Sequence, residues 1–279
     1  MSSWYALVAL LPFEWAQTRF MATALLAVLV ISPLFGLLST MVVQSRMSFF
    51  SDALGHSAFT GIAIGALCGL AQPMWAAISF ALAFSILFTY VRRQTDLTGD
   101  TVIGVFSSTA VALGIFIATW NGGSFTKFNT LLIGDILSVR PEEALLLLGI
   151  LGVILVLWVC AYNTLLLSAL HPALASSRGI RVFWQEVVLN CAIAVTVTVS
   201  MTWVGLLVIN SLLVLPAAAA RNLARNVRQY HLLSLLTATV CGIAGLMTSY
   251  YIGSSAGASI TLCLALFFAA STVGRKSGL

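Results

Sequence analysis

Long stretches of this 279-residue chain contain no Asp, Glu, Lys or Arg, among them the runs between Arg19 and Arg46, between Asp100 and Lys127, and between Arg228 and Arg275. Each exceeds the ~20 apolar residues that cross a bilayer as a helix. Charged residues make up 8% of the whole chain and hydrophobic ones 60%, whereas a soluble domain carries about 25% charged. Transmembrane β-strands alternate apolar and polar residues over short segments, and these runs do not alternate. The pattern specifies an all-α polytopic membrane protein with about 8–9 transmembrane helices.

Spans are expected near 20–43, 48–71, 73–91, 101–120, 142–163, 184–203, 205–219, 230–252 and 256–274. Two boundaries rest on chain breakers. The uncharged run 187–220 would form a helix of about 51 Å, well over the ~30 Å hydrocarbon core. A break is therefore expected at "TWVGLL", with Pro216 limiting the second piece. The run 229–274 splits at the turn cluster "GSSAG". Arg46, Arg92, Arg93, Arg178, Arg181, Arg221, Arg225, Arg228, Arg275 and Lys276 fall on one side of this stack, and only Arg19, Lys127 and Arg140 on the other. That bias assigns the first group to the cytoplasm, the amino terminus to the outside and the carboxyl terminus to the inside.

Residues 1–279 read as a single transmembrane domain, and residues 1–17, with Trp4, Tyr5 and Trp15, as a segment lying at the interface. The net charge of +5 does not point to nucleic acid, because the basic residues are dispersed in small groups between apolar spans. The five cysteines lie in apolar segments without a C-x-x-C pair and read as packing residues. No nucleotide-binding P-loop is present. Transport powered by ATP would need a partner.

Asp52 and His56, in "SDALGHSAFTG", are the candidate ligands. A charged group within a bilayer costs a few kcal/mol and needs a reason. Four residues along a helix place both side chains within reach of one ion. Carboxylate oxygen plus imidazole nitrogen is a half-site for Zn²⁺ and, less selectively, for Mn²⁺ or Fe²⁺. The plain alternative is a helix-capping aspartate beside a histidine with one buried hydrogen bond. A serine hydrolase built on Ser57 is a third reading, opposed by the ~100° between adjacent helical residues. Ala53, Ser57, Gly61, Gly65 and Gly69 recur every four residues as a small-residue ridge for close helix packing. Asp52, His56 and Thr60 form the adjacent stripe, expected to face a cavity. His171 and His231 are expected at cytoplasmic ends as interfacial residues.

Residues 216–231, beginning "PAAAARNLARNVRQYH", place Arg221, Arg225 and Arg228 at spacings of four and three, on one face of a short helix. Positive-inside bias alone accounts for arginines here, yet this is also the best candidate for docking onto another protein.

Three stretches in order resemble the membrane permease of the zinc/manganese/iron family of bacterial ABC importers: "RMSFFSDALGHSAFTGIAIG", "LLIGDILSVRPEE" and "NSLLVLPAAAARNLAR". The resemblance implies the ABC importer permease architecture, with Asp52 and His56 contacting the metal and Gly134 and Asp135 in a connection on the outer face. Ala217, Ala220, Arg221 and Arg225 would then lie in the segment that docks on the ATPase. It further implies a bacterial plasma (inner) membrane location, a second copy of the chain and two copies of a cytoplasmic ATP-binding subunit. An extracytoplasmic metal-binding protein would deliver the ion. No cofactor is expected to be bound permanently; the transported zinc or manganese is cargo. Two departures stand out. "YYIGSSAGAS" has Gly253, Ser255 and Ala258 where the family often has a Pro-Gly turn with an aspartate, and Ser107 stands near the place of a histidine in some zinc-type members.

The reading is a non-enzymatic transport subunit that moves zinc or manganese by alternating access. The rival is an ion-coupled secondary transporter with Asp52 as proton or cation carrier.

Overall fold

The computed structural model describes residues 2–10, 12–120, 136–139 and 141–276. Among them are eleven α-helices: α1 Ser2–Val8, α2 Arg19–Gln44, α3 Phe50–Leu67, α4 Pro73–Gln94, α5 Gly99–Thr119, α6 Pro141–Leu170, α7 Pro172–Ser177, α8 Val182–Val204, α9 Leu206–Leu223, α10 Val227–Ile252 and α11 Ala256–Lys276. Eight of the described helices are long and apolar enough to cross a membrane. They are α2, α4, α5, α6, α8, α9, α10 and α11.

The exception is α3. A span over 48–71 is expected from the sequence; the helix there is Phe50–Leu67 and falls outside the eight. The reason is packing. A helix flanked by protein rather than lipid can carry Ser, Thr, His and Asp without meeting hydrocarbon, and α3 lies against both α4 and α5.

The chain divides into two compact units. The first comprises Met1–Thr40, Gly134–Leu155 and Trp203–Leu279. Here α9, α10 and α11 pack on one another. Small residues bring helix backbones together: a Cβ on Gly36 of α2 would lie 2.9 Å from the Cβ of Ala238 on α10, and one on Gly245 of α10 would meet the Ile260 backbone of α11. The first residues fold onto α2, where the Trp4 indole donates to the Ala22 carbonyl at 2.8 Å and the Tyr5 hydroxyl pairs with Thr23 at 3.0 Å. At seven residues α1 is far too short to span, and Leu7, Leu10 and Phe13 are exposed beside it.

The second unit comprises Met41–Ile133 and Val156–Thr202. Its α4 and α8 are joined by a polar ladder. Ser85 donates to the Asn190 carbonyl at 3.3 Å, the Asn190 amide donates to Thr89 at 2.9 Å, and Arg93 pairs with Glu186 at 3.0 Å.

Both expected chain breaks occur where a glycine adopts positive φ. Gly205, at φ 86°, separates α8 from α9 within "TWVGLL". Gly253, at φ 71°, ends α10, and α11 starts after "GSS". Pro216 does not limit α9. The helix runs through it to Leu223 with Pro216 buried, as is tolerated in membrane helices packed against others.

The end of α2 is a six-residue cap in which Met47 N–H reaches the Val42 carbonyl at 3.0 Å and Arg46 N–H reaches Val43 at 3.2 Å. Arg46 occupies the left-handed position at φ 53°, the only non-glycine there with positive φ among the described residues. Such a conformation costs about 1 kcal/mol for an L-residue and nothing for glycine. Arg46→Gly relieves that cost while enlarging the unfolded ensemble, so it is expected to change stability by less than about 1 kcal/mol, measured by thermal unfolding of the purified protein.

Candidate metal-pathway site

Helix α3 is held on two faces. Along one, Gly61 and Gly65 face α4 so closely that a Cβ on Gly61 would lie 2.6 Å from the Ala77 Cα, and one on Gly65 2.9 Å from the Ala76 Cβ. This is the expected small-residue ridge, but Gly69 is not part of it. At φ 68° it closes the end of α3, its N–H bonded to Ala66 and that of Leu70 to Gly65. On the other face Thr60 donates to the Ala110 carbonyl of α5 at 2.7 Å, and a Cβ on Gly114 would meet the Phe59 ring at 2.6 Å. Thr60 is fully buried by this contact and so does not share an open stripe with Asp52 and His56.

The start of α3 is anchored by aromatic rings. Phe50 stacks on Phe88 of α4 at 4.6 Å, and Phe88 meets Phe106 of α5 edge-on at 5.6 Å. Arg92 ties down the preceding turn through the Ser45 carbonyl at 3.1 Å and the Met47 sulfur at 3.0 Å. Arg92 reads in the sequence as a topology signal alone, and its role in fixing this turn is visible only in three dimensions.

What remains open on α3 is narrow. From Phe50 to Gly61 every residue is buried except Asp52 and His56. Their side chains are 42% and 25% exposed, with His56 Nε2 at 3.5 Å from Asp52 Oδ2. Asp52 sits in the first helical turn, where the peptide dipoles favour a carboxylate. The carboxylate and the imidazole lie close together, both partly exposed. Among the described residues no group of three or more His, Cys, Asp or Glu could hold a metal ion. Ser57 is fully buried, its hydroxyl turned back to the Leu54 carbonyl at 2.8 Å. That removes it from any accessible surface.

The docking candidates separate into two kinds. Ala217 and Ala220 are fully buried within the first unit, whereas Arg221 on the last turn of α9 and Arg225 just beyond it are exposed. The three arginines do not share one short helix. Ala224 is extended (ψ 136°), and Asn226 caps a new helix by accepting from Gln229 N–H at 2.8 Å, so Arg228 belongs to α10. The N-x-x-Q spacing is a readable capping signal. Gly134 and Asp135 lie outside the described residues.

The ABC 3 transport family matches residues 17–275. The chain is 31% identical over 255 residues to the high-affinity zinc uptake system membrane protein ZnuB of Haemophilus influenzae, covering 91% of this chain and 97% of that protein. It is 30% identical over 253 residues to the manganese import system permease protein ScaB of Streptococcus parasanguinis, covering 90% and 89%. Its fold is similar to PsaBC from Streptococcus pneumoniae, solved with an Fab, at TM-score 0.78 and 28% identity over 97% of this chain and 95% of that one. Helices that cross a membrane, a match over nearly the full length and a permease fold agree: the chain belongs to the ABC 3 transport family of membrane permeases.

Proposed function

We propose that this chain is the permease subunit of an ATP-driven importer of zinc or manganese in a bacterial plasma membrane, and that Asp52 and His56 contact the ion in transit. The observation that carries the reading is the isolation of these two side chains as the accessible positions between Phe50 and Gly61, where α3 is otherwise buried. The relatives named for zinc and manganese transport support the cargo. One carboxylate and one imidazole make a weak site, as a transit site must, because an ion held in a closed four-ligand cage does not leave. A second copy of the chain carries a second such pair, and zinc or manganese held by one pair keeps water in its remaining positions.

The chain itself hydrolyses nothing and holds no permanent cofactor. Two cytoplasmic ATP-binding subunits dock on the segment around Arg221 and Arg225, and an extracytoplasmic metal-binding protein delivers the ion near Gly134 and Asp135. Alternating access follows when the ATP-binding subunits move the docking segment. Reconstitution tests the scheme. Hydrolysis by the ATP-binding subunit should rise with metal-loaded binding protein only when this chain is present; stimulation by metal in its absence would sink the reading.

A further inference from the structure

At the carboxyl end of the 216–231 segment, the start of α10 grips α2 at Thr40. Thr40 is fully buried, and two neighbours on α10 bind it. The Tyr230 hydroxyl donates to its carbonyl at 3.4 Å, and His231 Nδ1 lies 2.8 Å from its hydroxyl oxygen. Thr40 has one hydroxyl proton, which is directed to the Leu37 carbonyl at 2.7 Å. The proton in the His231–Thr40 bond therefore belongs to the imidazole, and His231 carries hydrogen on Nδ1. One turn further along, Ser234 bonds Ser39 at 2.9 Å and the Gly36 carbonyl at 2.7 Å, and the close approach at Gly36 leaves no slack between the helices.

We infer that His231 is a positioning residue that couples the docking segment to α2. This deepens the proposed function and rests on it. The segment that holds Arg225 ends at Asn226, the cap of α10, and Gln229 binds both Arg225 N–H at 3.0 Å and that cap. A push on the exposed arginines thus reaches residues 230 and 231 through a capped, hydrogen-bonded helical turn. From Thr40, α2 continues as helix to Gln44, and α3 with Asp52 begins at Phe50. Rigid elements joined by directed hydrogen bonds are what can carry coupling between two sites. A histidine that served as interfacial decoration would not need its ring proton aimed at a buried hydroxyl.

The test is the stoichiometry of metal moved per ATP hydrolysed in liposomes holding this chain with its ATP-binding subunit and binding protein, using Zn²⁺ and Mn²⁺. His231→Ala and Thr40→Val should each raise ATP consumed per ion by about threefold or more, with the ATP-binding subunit still co-purifying. His231→Asn, whose amide N–H occupies the place of Nδ1–H, should restore the wild-type ratio. If both losses lower hydrolysis and transport in proportion, or if asparagine does not rescue, His231 is structural and the inference fails alone. If the wild-type complex shows no metal-stimulated hydrolysis, the proposed function fails and this inference falls with it.

Discussion

Gly61→Leu should prevent the protein from accumulating in the membrane, to about a tenth of the wild-type level or less. The site of contact is backbone, not a flexible side chain. A Cβ on residue 61 would stand 2.6 Å from the Ala77 Cα and 2.9 Å from the Ala76 carbonyl oxygen. Neither can step aside without separating α3 from α4. Overpacking an interior commonly costs 1–3 kcal/mol, and a collision with backbone lies at or beyond the upper end. That is a large share of the 5–15 kcal/mol typical of a folded domain. Gly104→Leu on α5 is the control, because a Cβ there meets nothing within 4 Å. It should accumulate normally. Immunoblots of membrane fractions read both outcomes, and equal accumulation of the two variants would refute the α3–α4 packing.

Reversing two charges should separate binding from driving. Arg221→Glu together with Arg225→Glu is expected to reduce uptake by about 100-fold, through loss of the ATP-binding subunit from the complex. Both residues are exposed and neither supports the interior, so the protein should reach the membrane and keep its affinity for metal. Ala217 and Ala220 predict the contrary behaviour. They are fully buried, so large substitutions there should lower protein level before they disturb docking. Co-purification with the ATP-binding subunit reads the first effect. Retained association in the double variant would move the docking surface elsewhere.

Much of this architecture is legible because membrane helices obey few rules. An uncharged run has a required length, and where a run is too long a glycine must break it. Gly205 and Gly253 do so in backbone conformations with positive φ that other residues avoid. Asp52 and His56 are legible because ionisable groups are costly among apolar neighbours. Other features depend on what faces what. Hydropathy treats lipid and protein alike, so it does not reveal that α3 is sheltered by α4 and α5. A four-residue spacing puts Thr60 beside His56, but only the position of the Ala110 carbonyl draws its hydroxyl into α5. The same spacing extends the small-residue ridge to Gly69, where φ 68° instead ends the helix. Pro216 is a helix breaker in water and is carried, buried, inside α9 here, as packed membrane helices tolerate. The His231–Thr40 bond joins residues 191 positions apart and has no signature in either local sequence.

The central claim is that Asp52 and His56 touch the ion. The measurement that tests it most directly is cellular uptake of Zn²⁺ and Mn²⁺ by wild type and by His56→Ala at matched membrane levels, with the ATP-binding subunit and binding protein co-expressed. The substitution removes one of the two proposed donors from a partly exposed position, so the fold should survive. Wild type should take up one of the ions preferentially, and the variant should lose at least about 10-fold of that uptake. Undiminished uptake in the variant would contradict the account and return the pair to a structural role at the start of α3.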